Sequence, residues 1–403
     1  MSKTPHNNIE TSYRSYYGRL FSALIGQFGM SAEPAIEDAI QNAFLKSLKS
    51  WKPENMPDNP ENWLYIVAKN DLINQFRRQN SCDLPETITR SDQQNSAKTD
   101  LRLHTLLLLA SSKMISTQSK VLYSLKNIFG LSIREISEST LLKQDAIYKS
   151  IKRSGESLRQ EFTHLQIEEH NLSFKRQAIT TVEEMLYAVF NIGFDSFNEK
   201  IDSFVNEDLC LESLSLARLL SQEFGIDSTS NLLALLCFHL SRIPAKTENG
   251  SLITFFKQDR TKWDTRLIHL GIHYLKQPEK QDKYYIEALI ISSHMSTETY
   301  DTAHWNSIIK LYSLLMVMDD SPIIKLNLCY ALKQADRNEE ALELLAEISK
   351  KLPDEHLYLR LVKAELLKEF DKPESEQIMN SLINNLSHSL RKNFLINHNF
   401  IDA

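Results

Sequence analysis

Apolar residues recur at spacings of three and four along almost the whole chain, and little interrupts them. "ETSYRSYYGRLFSALIGQFG" puts Tyr13, Tyr17, Leu20, Leu24 and Phe28 on one stripe, and "EPAIEDAIQNAFLKSLKSW" does the same with Ile36, Ile40, Phe44 and Leu48. Only nine glycines and eleven prolines punctuate 403 residues. That scarcity of breakers favours helices with short connections over a many-stranded sheet, so the expected class is all-α. One place reads otherwise. In "RIPAKTENGSLITFF" (242–256), Asn249–Gly250 precedes an apolar run and predicts a small β-hairpin projecting from helices.

A chain of this length predicts two or three domains. No apolar run approaches the roughly 20 residues of a membrane span, and "MSKTPHNNIETSYRS" has no apolar signal core, so a cytoplasmic protein without membrane contact is expected. The four cysteines, Cys82, Cys210, Cys237 and Cys329, are far apart. Three sit in apolar helical patterns and read as buried thiols of a reducing compartment, not as disulfides or a metal set. Net charge is −6, which by itself argues against a general nucleic-acid binder. Its distribution says more. Residues 1–80 hold nine Lys/Arg and eight Asp/Glu, residues 81–170 twelve and eleven, and residues 171–403 25 and 33. The acidic surplus lies wholly in the C-terminal part, while the first part clusters its bases at helix ends, as a focal contact would.

Four segments follow along the chain. Residues 1–80 read as a three-helix unit, its second and third helices joined by the proline-stiffened loop "KPENMPDNP". The third helix, "NPENWLYIVAKNDLINQFRRQN", places Trp63, Leu64, Ile66, Val67, Ile73 and Phe76 at helical spacing and ends on Arg77–Arg78. By itself that is a core helix whose basic end suits the helix dipole. Residues 81–100 are polar and aperiodic, as a flexible linker is. Residues 101–165 regain periodicity and contain "FGLSIREISESTLLKQDAIYKSIKRSGESLRQ". Ser132 with Glu135 makes a capping box, and a turn near 141–143 separates two helices in the outline of a helix-turn-helix. Residues 166–403 read as helix pairs. "NLCYALKQADRNEEALELLAEI" is echoed by "RLVKAELLKEFDKPESEQIMNSLI" at an offset of 35, aligning Cys329 with Ala364 and Asp336 with Asp371. That is close to the tetratricopeptide period, without the usual glycine before the turn.

The second helix of the helix-turn-helix offers Gln144, Tyr148, Lys149, Lys152 and Arg153 as donors for phosphates and base edges, with Ile147, Ile151 and Leu158 as core anchors. The competing reading is a helical hairpin with a solvated basic face. His269 and His273 share a helix face at the spacing of half a zinc site, but no further ligands accompany them, so no metal is expected. In "QDRTKWD", Asp259, Arg260, Trp263 and Asp264 are dense polar and aromatic groups, with Asp264 and Arg260 spaced as an i,i+4 pair. They form a hub holding the hairpin to the helices or, functionally, a partner contact. No phosphate loop, nucleophile motif or carboxylate pair points to an enzyme, and no cofactor is expected.

"EDAIQNAFLKSLKSW" followed by "NPENWLYIVAKNDLINQFRR" resembles region 2 of the extracytoplasmic-function (ECF) sigma factors of bacterial RNA polymerase, and "GLS…EIS" resembles their region 4. "LYAVFNIGF", "QDRTKWD" and "SPIIKLNLCYAL" resemble the long C-terminal extension of one ECF subgroup, a tetratricopeptide-like domain. The resemblance implies core RNA polymerase and promoter DNA as partners. It places polymerase docking on Asp38, Gln41, Asn42 and Phe44. It assigns capture of an unstacked −10 base to Asn55, Asp58 and Asn59, and contact with the melted strand to Trp63, Lys69, Asn70, Arg77 and Arg78. The −35 element falls to the helix bearing Lys149 and Arg153. The extension would set activity or hold an additional protein partner. Asn42, Asp71, Asn74, Gly155 and "SSK" at 111–113 depart from the family pattern. The alternatives are a helix-turn-helix regulator whose helical domain senses a ligand or partner, without polymerase docking, and a tetratricopeptide-like scaffold. Neither needs the block at 33–80.

Overall fold

The computed structural model describes residues 5–52, 55–79, 100–140, 142–163, 176–195, 205–248, 251–385 and 389–397. Among the described residues the fold is all-α apart from one hairpin of two-residue strands, as the spacing predicts. The chain divides into two compact units, one of Met1–Ile192 with Leu211–Leu220, the other of Gly193–Cys210 with Ser221–Ala403. The boundary expected at 165/166 thus falls inside the first unit. Cys82 and the polar segment 81–99 lie outside the described residues.

The first unit opens with α1 (Pro5–Phe28), α2 (Glu33–Ser50) and α3 (Pro60–Gln79). Their apolar stripes meet: Leu20, Phe21, Leu24, Ile36, Ile40, Leu64, Ala68 and Leu72 are all buried. Next come α4 (Arg102–Ser111), α5 (Thr117–Asn127), α6 (Ile133–Thr140), α7 (Gln144–Glu161) and α8 (Arg176–Phe194). The expected capping box is formed, Ser132 N–H donating to Glu135 at 2.7 Å and Glu135 N–H to Ser132 Oγ at 3.2 Å. α4 and α5 pack on α1. A Cβ on Gly18 of α1 would lie 1.7 Å from the Ile128 carbonyl oxygen, so only glycine admits this approach. The unit is completed by the middle of α9 (Glu207–Phe224). Buried Arg102 donates to Asp100 at 2.7 Å and to Glu212 of α9 at 2.8 Å.

The second unit begins, after the start of α9, with α10 (Asp227–Ser241) and the short α11 (Ile243–Lys246). β1 (Thr247–Glu248) then pairs antiparallel with β2 (Ser251–Leu252), Thr247 opposite Leu252. The turn residues Asn249–Gly250 are outside the described set. α12 (Thr265–Tyr274) and α13 (Lys283–Ser296) pack on α10. From α13 onward each helix packs on the next: α14 (Thr302–Met318), α15 (Pro322–Gln334), α16 (Asn338–Ile348), α17 (Leu357–Leu367) and α18 (Lys372–Asn385), then α19 (Ser389–Asn397). Cys329 and Ala364, aligned by the 35-residue echo, are both fully buried where paired helices cross. Cys329 Sγ lies 3.5 Å from the Ala341 carbonyl, and Ser375 Oγ donates to the Ala364 carbonyl at 2.7 Å. The aligned aspartates differ. Asp336 ends α15 at φ 58°, whereas Asp371 starts α18 by accepting from Glu374 N–H at 3.0 Å. Cys210, Cys237 and Cys329 are buried free thiols.

Candidate nucleic-acid interface

α3 begins where Asn59 Oδ1 accepts from Asn62 N–H at 3.0 Å, with Pro60 as first helical residue. Asn59, expected to hold a base, thus also serves as an N-cap, and Asn55, Asp58 and Asn59 are all exposed. Trp63 is half-buried, edge-on to Trp51 at 5.4 Å between centroids. Asn70, Arg77 and Arg78 are exposed, as expected of strand contacts. Lys69 is not: it is 5% exposed, because the helical turn places it well round from Trp63, beside the inward Ala68 and Leu72. Ile66, expected in the core, is 47% exposed. Trp63, Ile66, Asn70, Asn74 and Arg77 fall at spacings of three and four on one outward stripe. Sequence reasoning missed Ile66 by counting every apolar residue of α3 as inward, though its separation of three from Trp63 and four from Asn70 was visible.

α2 presents Asp38, Gln41 and Asn42 outward, together with Leu45 and Leu48, which sequence reasoning left out of the surface. Phe44, expected on the docking face, is instead buried against the Tyr13 ring at 4.6 Å between centroids; the stripe that carries Ile36 and Ile40 carries it too. Two departures from the family pattern meet here. Asn42 Nδ2 donates to Asp71 Oδ2 at 2.9 Å, and Gln75 donates to the same oxygen at 3.2 Å.

On α7, Gln144, Tyr148, Lys149, Lys152 and Arg153 are all exposed, while Ile147, Ile151 and Leu158 are buried. Gly155 meets the α2 residue Glu33: a Cβ there would lie 2.8 Å from each carboxylate oxygen. Glu33 is itself buried, accepts from the Tyr123 hydroxyl at 2.6 Å and pairs with Arg159. Burial pushes its carboxyl above the ordinary range, against the pull of Tyr123 and Arg159. Nearby, Lys126 pairs with Glu37 at 2.7 Å. At the end of α7, Glu161 accepts from Ser112 Oγ and, at 3.0 Å, from Lys113 N–H, which gives "SSK" a structural task.

The hub residues lie in the second unit. Asp259 accepts from Thr261 N–H at 3.0 Å, and Asp264 caps α12 by accepting from Arg266 N–H at 2.9 Å. Asp264 does not pair with Arg260. Residues 260–262 form a 3-10 turn and Trp263 and Asp264 are extended, so the helical i,i+4 geometry is absent. Asp264 pairs with Arg266 at 2.9 Å, and Arg260 donates to Tyr300 Oη at 2.6 Å and to the His294 and Met295 carbonyls. Trp263 is buried beside Phe255. Lys262 reaches Glu248 of the hairpin at 2.7 Å. His269 and His273 are exposed, and no group of three or more His, Cys, Asp or Glu among the described residues could hold a metal ion. No helix among the described residues is long and apolar enough to cross a membrane.

The three helices α1–α3, with their outward stripe, match a known family. Residues 13–82 match Sigma-70 region 2. The match thus covers the block at 33–80 that separates the alternatives. Residues 178–279 match a family of unknown function, DUF6596, which spans α8 to α12 and includes the hub. An uncharacterized protein of Rhizobium meliloti (strain 1021) is 27% identical over 353 residues, 83% of this chain and 82% of its own length. No solved structure matches the chain.

Proposed function

We propose that this chain is an ECF-type sigma factor that directs core RNA polymerase to promoters and has no catalytic activity of its own. The observation that carries the reading is the region 2 match on α1–α3, which neither a simple regulator nor a scaffold needs. The outward face of α2, from Asp38 through Gln41 and Asn42 to Leu48, docks on the polymerase. The α3 stripe receives the melted −10 strand. Trp63 and Ile66 supply apolar surface for bases, Asn70 and Asn74 supply hydrogen bonds, and Arg77 and Arg78 neutralise phosphate, the combination single strands require. α6 and α7 act as a region 4 helix-turn-helix, with Gln144, Tyr148, Lys149, Lys152 and Arg153 in the major groove of the −35 element. The C-terminal helix pairs act as a tetratricopeptide-like domain that sets activity, and the protein works in the cytoplasm.

Run-off transcription with purified bacterial core polymerase tests this. The template is a promoter fragment recovered from a random-sequence library by the polymerase carrying this chain. Transcripts that need the added protein are expected. If it recovers no fragment and supports no transcript, while still binding duplex DNA, the regulator reading replaces this one.

A further inference from the structure

Arg242, the residue that joins α10 to α11, is 6% exposed. Its guanidinium lies 4.0 Å over the Phe255 ring and 5.9 Å from that of Phe194. Its one acceptor among the described residues is Gln258 Oε1, which Nε reaches at 3.3 Å, so both Nη groups are left without one. A charge in the interior normally carries a partner of opposite sign. The carboxylates of the hairpin and the hub turn elsewhere: Glu248 to Lys262, Asp259 to Thr261, Asp264 to Arg266. Burial pulls Arg242 down to about 9. The surroundings add donors. Lys246 lies 3.7 Å over the Phe194 ring. Arg260 also lacks a carboxylate among the described residues, its acceptors being Tyr300 Oη and two backbone carbonyls. Trp263, 7% exposed and 6.0 Å from the Phe255 ring, buries its indole N–H without an acceptor among the described residues. Phe256, 36% exposed and 5.2 Å from Phe255, brings this cluster to the surface.

We propose that Arg242, Arg260 and the Trp263 indole N–H form a binding site in the second unit for a small molecule that carries a carboxylate or phosphate on an apolar, planar body. Cations without counter-charges and an indole N–H without an acceptor share one complement, an oxygen bearing negative charge. The planar fork of a guanidinium fits either oxyanion in two-point fashion. The Phe255, Phe256 and Tyr300 rings supply flat apolar surface for the body, as ligand sites do around a few placed polar groups. The site belongs to the second unit and stands whether or not the first unit is a sigma factor.

Calorimetric titration of the full chain with benzoate, phenyl phosphate and inorganic phosphate tests this, with benzamide as the neutral counterpart of benzoate. Benzoate or phenyl phosphate should bind at one site per chain, and benzamide should not. Tighter binding of benzoate would assign the site to carboxylates, and tighter binding of phenyl phosphate to phosphate esters. Inorganic phosphate binding as tightly as phenyl phosphate would remove the rings from the site. Arg242→Gln should weaken binding about tenfold or more, the weight of one charge-assisted hydrogen bond. Trp263→Phe keeps a ring, removes the N–H and should weaken binding by a smaller factor. Far-UV circular dichroism shows whether each variant folds, and if Arg242→Gln does not, Arg260→Gln and Trp263→Phe carry the test. No saturable binding of either aromatic anion up to about 10 mM, the weakest affinity expected of so small a ligand in a built site, would overturn the proposal. So would benzamide binding as tightly as benzoate, or anion binding undiminished in all the folded variants. Arg242 would then be a cation held only by its stacking on aromatic rings.

Discussion

Arg102 illustrates how much one buried charge can decide. The residue is 2% exposed, and its guanidinium is satisfied by Asp100 and Glu212 together. Removing one partner of such a group leaves the others desolvated and unpaired. Arg102→Ala should therefore cost about 3–5 kcal/mol in chemical denaturation of the first unit. A loss below about 1 kcal/mol would mean the carboxylates rehydrate in place. Arg153 is the opposite case, exposed and held only by a weak bond to the Lys149 carbonyl at 3.3 Å. Arg153→Ala should leave stability unchanged. In duplex-DNA titrations it should weaken binding across sequences and reduce the salt slope by about one. An unaltered slope would remove it from the phosphate contacts. Lys69 and Phe44 were misjudged by sequence because chemistry was weighed before register. A lysine on the helix that ends in Arg77 and Arg78 looks like a phosphate ligand until the helical turn places it inward, and the Phe44 stripe was already visible through Ile36 and Ile40.

At the scale of elements, the helices were legible because their period is unbroken and their ends carry caps, such as Ser132 with Glu135 and Pro60 behind Asn59. The turn between α15 and α16 was half legible. Asp336 N–H donates to the Lys333 carbonyl at 3.0 Å and Arg337 N–H to the Leu332 carbonyl at 2.9 Å, a Schellman closure that wants glycine at the left-handed position. The missing glycine was noticed in the sequence, but nothing there says that Asp336 accepts φ 58° while Asp371 does not. Asp336→Gly should stabilise the second unit by about 0.5–1 kcal/mol, measured by urea unfolding, the relieved strain exceeding the added freedom of the unfolded chain. Destabilisation would show that the aspartate makes a compensating contact. The α2–α5–α7 junction was not legible at all. Its partners are 90 and 126 residues apart in sequence, and no periodicity reports which helix faces which.

Over the whole molecule, the second unit carries a built-in sensitivity to acid. His294 Nδ1 lies 2.9 Å from His304 Nε2, inside a ring of Phe255, Phe256, Tyr300 and Trp305. Burial, then the neighbouring His304 and Arg242, pull His294 down to about 4 from 6.5. Burial, then Arg242 and Lys246, pull His239 down to about 3. Below 6.5 the unfolded chain takes up protons that the folded unit refuses. Stability is therefore full above 6.5 and falls as pH drops toward 4, by about 3 kcal/mol for His294 if the whole shift is expressed. Urea midpoints of the second unit at pH 7.5 and 5 should differ accordingly, and His294→Gln should flatten the dependence. Equal slopes in wild type and variant would place the sensitivity elsewhere.

The contact between Arg102 and Glu212 has a consequence for biosynthesis. The ribosome delivers the chain from its N-terminus, and a unit closes only when its last piece has left the exit tunnel. The first unit draws that piece from 211–220. α1 to α8 must therefore wait, with a buried arginine half-satisfied, while the 28 residues from 193 to 220 are made at about 5–20 per second. A nascent chain stalled after residue 192 should remain protease-sensitive around α4. One stalled far enough beyond 220 for that segment to emerge should be protected. Protection already present at 192 would show that Asp100 alone suffices to hold Arg102. A ribosome pausing between those points would leave this protein open to degradation before its first unit had ever closed.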